Sequence, residues 1–327
     1  MHNASGILGH ISIVNEPAVS ILICTRNRCA ALRETLNAVG RVEVPASLQA
    51  ELIVIDNGST DATADVVHET RLPNIPLRYE LETTPGQSRA RNRGLAAAKG
   101  RFILFTDDDV RPPTDWIAGM CAPLERGECD AVAGGVRIAP HLLREWMTPR
   151  DRAWLASTER IDSNEPTEFV GANFAISRDV LRQVPAFDVK LGPGALGFGD
   201  DTMFAWRLRA AGLRIGSALD VEVEHHFDPT RLSRASFLSM ARKFGATRGH
   251  LLHTWNKEKI ESPRRKALQS LALLSLLRLR HCPWRRCEGI ADWEGSLVSE
   301  YHAYRQYARE LQKPGRSPTG ELSVRWT

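Results

Sequence analysis

The chain lacks closely paired cysteines: Cys24, Cys29, Cys121, Cys129, Cys282 and Cys287 are dispersed, with no C-x-x-C spacing. That argues against a zinc site or a disulfide scaffold and for reduced thiols. It also lacks an apolar run of the roughly 20 residues that a bilayer span requires. Its longest apolar-rich stretch, Ala267 to Leu279, is interrupted by Gln269, Ser270, Ser275 and Arg278. The opening MHNASGILGHISIVNEP has no charged segment followed by an unbroken apolar one, so no secretory signal is read and a cytoplasmic location is expected. There is no internal repeat. A strong excess of one charge is missing too: the net charge of +4 over 327 residues argues against a protein that coats nucleic acid.

What is present is an ordinary globular composition, 43% hydrophobic and 25% charged, enough to bury a large core. The charge is divided unevenly. Up to Thr230 there are 24 basic and 31 acidic residues, and after it 19 and 8. An acidic body with a basic C-terminal appendage suits a membrane surface or an anionic partner.

Three short apolar runs, Val19–Cys24, Leu52–Ile55 and Phe102–Phe105, are continuous rather than alternating. Such runs mark strands covered on both faces, as in the interior of a parallel sheet. Helical spacing falls between them at Arg28–Ala38, Asp61–His68 and Ser88–Ala98, so the pattern is βαβ and the fold class α/β. Farther on, Ala131–Val136, Phe169–Ile176 and Val221–His225 are expected strands, and Thr202–Ala211 a helix. After Thr230, helices with basic faces are expected over Phe237–Trp255, Lys266–Leu279 and Asp292–Leu311, then a flexible tail after Pro314.

Each of the first three strands ends in a polar cluster: Thr25-Arg26-Asn27, then Asp56-Asn57-Gly58-Ser59-Thr60-Asp61, then Asp107-Asp108-Asp109. Ligands of open parallel sheets bind outside the carboxyl ends of the strands, so the three converge on one crevice suited to a phosphorylated ligand with a cation. Three adjacent carboxylates repel one another unless a hard divalent ion lies among them, which favours a metal site over an acidic turn before Pro112. Thr60 and Asp61 read equally as helix caps, whereas Asp56 is placed to accept a hydrogen bond from a ligand. Gln87 to Asn92 opens a helix with Arg89 and Arg91, suited to a diphosphate or to a solvated face. Asp200-Asp201 follows the glycine-rich stretch Gly192–Gly199, which is expected to close over the crevice, and these carboxylates read as a general base or as a helix cap. His225 and His226 end a strand, where either could add a nitrogen ligand. Trp146, Trp154 and Trp206 read as core more than as sugar platforms.

In this order the segments VSILICTRNR (19–28), ELIVIDNGSTDAT (51–63), PGQSRARNRGLAAAKGRFILFTDDDV (85–110), GANFAISRDVL (171–181), FGDDTMFAWRLRAAG (198–212) and VEVEHH (221–226) resemble the family 2 glycosyltransferases, inverting enzymes of the GT-A fold. The resemblance implies a mainly parallel Rossmann-like mixed sheet over residues 17–228, with 229–313 as a helical appendage and 314–327 as a tail. It implies a nucleotide-sugar donor, UDP- or dTDP-linked, recognised at the base by Asp56 and contacted by Arg91, with Thr25, Arg26, Asn27, Asn57, Ser59, Gln87, Asn92 and Asp108 around it. Asp107 and Asp109 match the family's DxD contacts to ribose and to Mn²⁺ or Mg²⁺, His225 the nearby histidine, and Asp201 the catalytic base. Where the family has Gly-Glu-Asp this chain has Gly199-Asp200-Asp201, which leaves Asp200 a rival. The implied acceptor is a glycan or a lipid-linked acceptor in cell-envelope assembly. A non-catalytic nucleotide-sugar scaffold and a metal-dependent phosphohydrolase are the alternatives.

The appendage itself admits two readings. Cations bracket the stretch Ala267–Leu279, Arg264, Arg265 and Lys266 before it and Arg278, Arg280, Arg285 and Arg286 at its end and after it, which fits an interfacial helix of a peripheral membrane protein at the inner face of the membrane. It equally fits a helix packed on the body or joining a homo-oligomer.

Overall fold

A computed structural model describes residues 16–283 and 286–313; the expected tail and Arg285 lie outside them. Eight strands form one mixed sheet: β1 (Val19–Thr25), β2 (Ala50–Asp56), β3 (Leu77–Leu81), β4 (Phe102–Asp107), β5 (Val110–Arg111), β6 (Ala131–Ile138), β7 (Asn173–Ser177) and β8 (Ile215–His225). Their order across the sheet is β3-β2-β1-β4-β7-β6-β8-β5. The first four run parallel, β1, β2 and β4 as their continuous apolar runs imply, and β7 enters antiparallel to both β4 and β6.

Strand alternation sorts the apolar side chains into two layers. Ile21, Ile23, Leu52, Val54 and Leu104 pack with Leu32 and Leu36 of α1 (Cys29–Val39), Val66 of α2 (Thr63–Glu69) and Trp116 of α4 (Trp116–Glu125). Leu22, Ile53, Ile55, Ile103 and Phe105 face the other way, onto Leu95 of α3 (Gln87–Ala97) and Phe204 and Leu208 of α6 (Asp200–Ala210). These fully buried aliphatic side chains each stabilise by about 1.5–3 kcal/mol relative to an exposed position.

A third apolar cluster crosses residue 228. Ile138 and Leu142, with Trp154 of the short helix α5 (Pro149–Trp154), pack with Phe237 and Met240 of α7 (Arg234–Thr254), Leu274 of α8 (Pro263–His281) and Val298 of α9 (Asp292–Glu310). Helix α9 lies between α7 and α8 and is held to both by Glu294. That side chain is 0% exposed and accepts from Arg234 Nη1 and Nη2 and from Arg278 Nε, each at 2.7 Å. Burial works against the charge, but these hydrogen bonds hold the Glu294 carboxyl below its ordinary range. Glu294→Gln is therefore expected to lower stability by about 3 kcal/mol, because two guanidinium groups lose their counter-charge. Urea unfolding checks this; an unchanged midpoint would mean that both arginines rehydrate freely.

Two sequence expectations are corrected here. The strand expected at Phe169–Ile176 begins only at Asn173, because residues 171–172 turn beneath Arg91. Arg278, expected as a free flanking cation, is committed to Glu294. No disulfide joins the six cysteines.

Candidate functional site

The registers of the parallel strands assemble the site. Thr25 stands opposite Asp56, and Cys24 opposite Asp107, so three strand ends open at one edge. Strand β5 then draws the acidic cluster toward β8, with Val110 beside His225 and the His226 amide donating to the Asp109 carbonyl at 2.7 Å. His225 is thereby turned inward, its Nε2 3.3 Å from Asp109 Oδ1. The neighbouring His226 lies 2.6 Å from Glu224 Oε1 instead. The two histidines, equivalent in sequence, are separated by a two-residue strand that apolar patterning could not reveal.

The three aspartates occupy three environments. Asp108 points inward, accepting from Thr25 Oγ1 at 2.7 Å and paired with Arg28 at 2.8 Å, and burial pushes it up to about 7 despite Arg28. Asp109 is also buried, yet His225 and then Arg28, which donates to its Oδ2 at 2.5 Å, hold it well below the ordinary carboxylate range. Asp107 is the most exposed of the three, 28% at its side chain, and lines a cavity of about 760 Å³. Burial raises it, with Arg91 in opposition and Asp109 adding to the rise.

Among the described residues no three His, Cys, Asp or Glu side chains converge as a ready metal cage. The pair Asp109 and His225 nevertheless fits a cation. His225 Nδ1 lies 2.9 Å from the Leu155 carbonyl. With Nδ1 turned to that carbonyl, Nε2 is the ring nitrogen that faces Asp109, and the two would share a cation bound between them.

Across the cavity Asp201 accepts from the Gly171 amide through Oδ2 and from the Thr202 amide through Oδ1, each at 2.8 Å. Burial, and then neighbouring Asp200, push Asp201 up to about 6. Asp200 is differently employed: its Oδ2 accepts from Arg91 Nη1 at 2.6 Å. Two glycines make this possible. A Cβ at Gly171 would stand 2.1 Å from Arg91 Nη2, and one at Gly192, whose φ is +82°, would meet the Asp200 carboxyl at 2.7–2.9 Å. The glycine-rich stretch thus seats Asp200, and the Pro193 carbonyl accepts from the Gln87 amide at the start of α3. Both acids line the cavity; Asp200 is paired with Arg91, and the hydrogen bonds of Asp201 come from backbone amides.

The remaining expected residues divide. Asp56 keeps its carboxylate at the strand end, accepting from Tyr79 Oη at 2.9 Å and from the Ser59 amide at 2.8 Å. Ser59 accepts in turn from the Asn27 amide, and Asn27 Oδ1 from the Thr60 amide, so these loops brace each other. Arg26 is exposed at the same edge, while Gln87 and Arg91 line the cavity. Three residues expected at the donor have partners within the protein: the Asn57 amide ties the Glu82 and Thr84 carbonyls to the Gly86 amide, Asn92 is paired with both backbone groups of Phe187, and Asp108 is buried between Thr25 and Arg28. Trp154 and Trp206 are both buried and form cavity wall, so core and site coincide there.

Sequence reasoning missed Arg28 and Arg231. Arg28 was within a matched segment, and its proximity to the acidic cluster depended on the β1–β4 register. Arg231, in the 3₁₀ turn Pro229–Leu232, lines the cavity 5.2 Å from the Phe227 ring centroid; burial lowers its pKa while Asp109 opposes that. Its only sequence signal was its place five residues after the His225-His226 pair.

Comparison with known proteins agrees with this architecture. The family model "Glycosyl transferase family 2" matches residues 20–184, half of the chain. Glycosyltransferase AglE of Haloferax volcanii is 26% identical over 63% of this chain and 66% of its own length. The probable glycosyltransferase YdaM of Bacillus subtilis is 28% identical over 53% of this chain and 44% of its own. The chain thus spans less than two thirds of these curated relatives. Among solved structures, a mannosyltransferase of Pyrobaculum calidifontis, in complex with GDP-Man and Mn²⁺, superposes with a TM-score of 0.62 at 19% identity, covering 91% of this chain and 88% of that one. At that identity the likeness concerns the fold, which is the GT-A arrangement of a mixed sheet flanked by helices. With the match spanning the strand ends that carry Asp56, Asp107 and Asp109, the chain belongs to glycosyl transferase family 2.

Proposed function

We propose that this chain transfers a sugar from a nucleoside diphosphate sugar to an acceptor hydroxyl, with inversion at the anomeric carbon. The observation that carries the reading is the pairing of opposed chemistries across one crevice. Asp107 lines the cavity, two residues before the buried Asp109 that faces His225, and Asp201, raised to about 6, lines the same cavity.

Asp56 receives the base, its carboxylate accepting from a ring N–H, and the pyrimidine preference is what the family resemblance implies for that position. Arg91 and Arg231 supply positive charge where the diphosphate departs. A divalent cation, Mn²⁺ or Mg²⁺, held by Asp109 and His225 and completed by donor oxygens, would stabilise the charge that develops on that leaving group. Asp201 accepts the acceptor hydroxyl proton as its oxygen forms the bond to the anomeric carbon. The bond to the diphosphate oxygen breaks on the opposite face, and the electron pair leaves with the diphosphate. Arg91 holds Asp200, so Asp201 alone of the two carboxylates is left for the proton. The wall of Trp154, Trp206 and Phe244 suits a sugar-bearing acceptor, as expected of a glycan or lipid-linked substrate.

Thermal unfolding with UDP-, dTDP- and GDP-sugars, each with Mn²⁺ or with EDTA, tests the reading. A pyrimidine nucleotide sugar at a hundredfold over its Kd is expected to stabilise by about 2.7 kcal/mol, by mass action. Stabilisation only by a GDP-sugar would overturn the pyrimidine preference. No stabilisation by any donor would overturn the proposal. Release of inorganic phosphate without an acceptor would favour the phosphohydrolase alternative.

A further inference from the structure

We propose that α8 is a docking helix that lies on an anionic lipid surface and holds the acceptor cavity beside it. Helix α8 packs inward through Ala267, Ser270 and Leu274. The opposite face is apolar and uncovered: Leu268 is 66% exposed, Leu276 63% and Leu279 75%, with Leu273 and Leu271 flanking them. At helical spacing these first three, with Ala272, form one stripe. Leucines concentrated on one solvent-facing stripe are not required by packing, since Leu274 already supplies the inward contact.

Charge indicates what covers the stripe. Between Pro263 and His281 there is no Asp or Glu. Arg264, Arg265 and Lys266 are exposed at one end, and Arg280 at the other, with Arg286 beyond it. An apolar stripe between two cationic ends matches the acyl boundary and headgroups of an anionic membrane. A second copy of this chain fits less well. Two α8 helices meeting stripe to stripe would bring cationic ends together in either orientation, with no carboxylate of α8 to oppose them. No helix among the described residues is long and apolar enough to cross a membrane, so α8 lies along the surface.

The groove beside this helix is lined by Lys266, Gln269, Ser270 and Leu273, and shares Leu297 and Glu300 of α9 with the cavity that contains Asp201. A lipid-borne acceptor held along α8 would lie next to the cavity that contains the base. Docking is independent of the transfer reading; only delivery of such an acceptor rests on it.

Flotation of the full chain with vesicles of phosphatidylcholine, and of phosphatidylcholine containing phosphatidylglycerol, tests the docking. Binding to the anionic vesicles only, weakened by salt, is expected. The triple variant Leu268→Ser, Leu276→Ser, Leu279→Ser removes exposed side chains, so it should melt like the parent and lose tenfold or more in vesicle affinity. Arg264→Gln with Arg265→Gln and Lys266→Gln should lose a similar factor and most of the salt dependence. Nucleotide-sugar stabilisation, unchanged in both variants, separates this outcome from failure of the transfer reading. Absence of flotation at low salt, or undiminished flotation of the leucine variant, would overturn the proposal. So would a dimer in sedimentation velocity that only the leucine variant dissolves, which would assign the stripe to a second copy.

Discussion

Asp201→Asn is expected to lower the transfer rate by about a hundredfold or more, the range associated with loss of a general base. Donor binding should persist, because Asp201 faces the acceptor side of the cavity and not the strand ends around Asp56. The substitution is close to isosteric, but an amide has only one acceptor oxygen. The Gly171 and Thr202 amides, which now donate to Oδ2 and Oδ1, cannot both be satisfied, so a loss of about 1 kcal/mol in stability accompanies the kinetic effect. That cost is far too small to unfold a chain of this size, and it separates misfolding from loss of the base. The pH profile carries the same information with a definite sign. Asp201 acts as a base only when deprotonated, and burial, with Asp200 beside it, raises it to about 6. The rate under subsaturating acceptor should therefore fall about tenfold per unit as pH drops below 6 and level off above it. The acid limb should vanish in Asp201→Asn. Asp200→Asn tests the competing assignment. It leaves Arg91 with a weaker partner and should lower donor affinity, since Arg91 Nη1 lies 2.6 Å from Asp200, and it should move the acid limb to lower pH without removing it, because the Asp200 charge helps to raise Asp201. Normal transfer by Asp201→Asn together with an inactive Asp200→Asn would exchange the two roles.

Much of the fold could be read from the chain because burial on both faces leaves a simple signature. Leu52–Ile55 and Phe102–Phe105 are apolar without alternation, and the residues just after each run stand at the carboxyl edge of the sheet. Position along the chain alone therefore located Asp56 and Asp107. What patterning could not provide was pairing. Strand β3, with its half-exposed Leu77–Leu81, carries no continuous apolar run, and β5 has only two residues. Yet β3 supplies Tyr79 to Asp56, and β5 selects His225 over His226. Side-chain direction was similarly hidden. Asp107, Asp108 and Asp109 are adjacent, but successive residues at a strand end point in different directions, and Asp108 turns to Thr25 and Arg28. Asn57 and Asn92 look like ligand contacts because they are polar and close to the site; their partners are backbone groups of loops distant in sequence. In the appendage the helices were legible from spacing, but which leucines of α8 face inward depends on how α9 lies against it. Leu274 is buried in that contact, and the exposed stripe runs through Leu268, Leu276 and Leu279.

Asp109→Asn is expected to abolish the dependence of donor binding on a divalent cation. In the parent chain, calorimetric titration of a pyrimidine nucleotide sugar should give affinity about ten- to a hundredfold higher with Mn²⁺ than with EDTA, the factor associated with an intact ligand set. In Asp109→Asn the two affinities should converge. The reason is electrostatic as well as geometric. Asp109 lies between Arg28 and His225, which keep it ionised, so the variant removes a full negative charge where a cation is to be held. It also releases Arg28, whose remaining carboxylate partner is Asp108. A freed guanidinium near the diphosphate could itself bind phosphate, so some metal-independent donor affinity should remain in Asp109→Asn. His225→Gln separates the contributions. It keeps the charge of Asp109 and loses the nitrogen, and so should narrow the preference for Mn²⁺ over Mg²⁺, because imidazole suits the later transition ions better than magnesium. Asp107→Asn should have the milder effect on cation dependence, since Asp107 faces Arg91 across 3.8 Å and lines the open cavity rather than the Asp109–His225 contact. Equal donor affinities with Mn²⁺ and EDTA in the parent chain would remove the cation from the proposed mechanism. Asp109 would then serve to hold Arg28 and His225, and charge stabilisation at the leaving diphosphate would fall to Arg91 and Arg231.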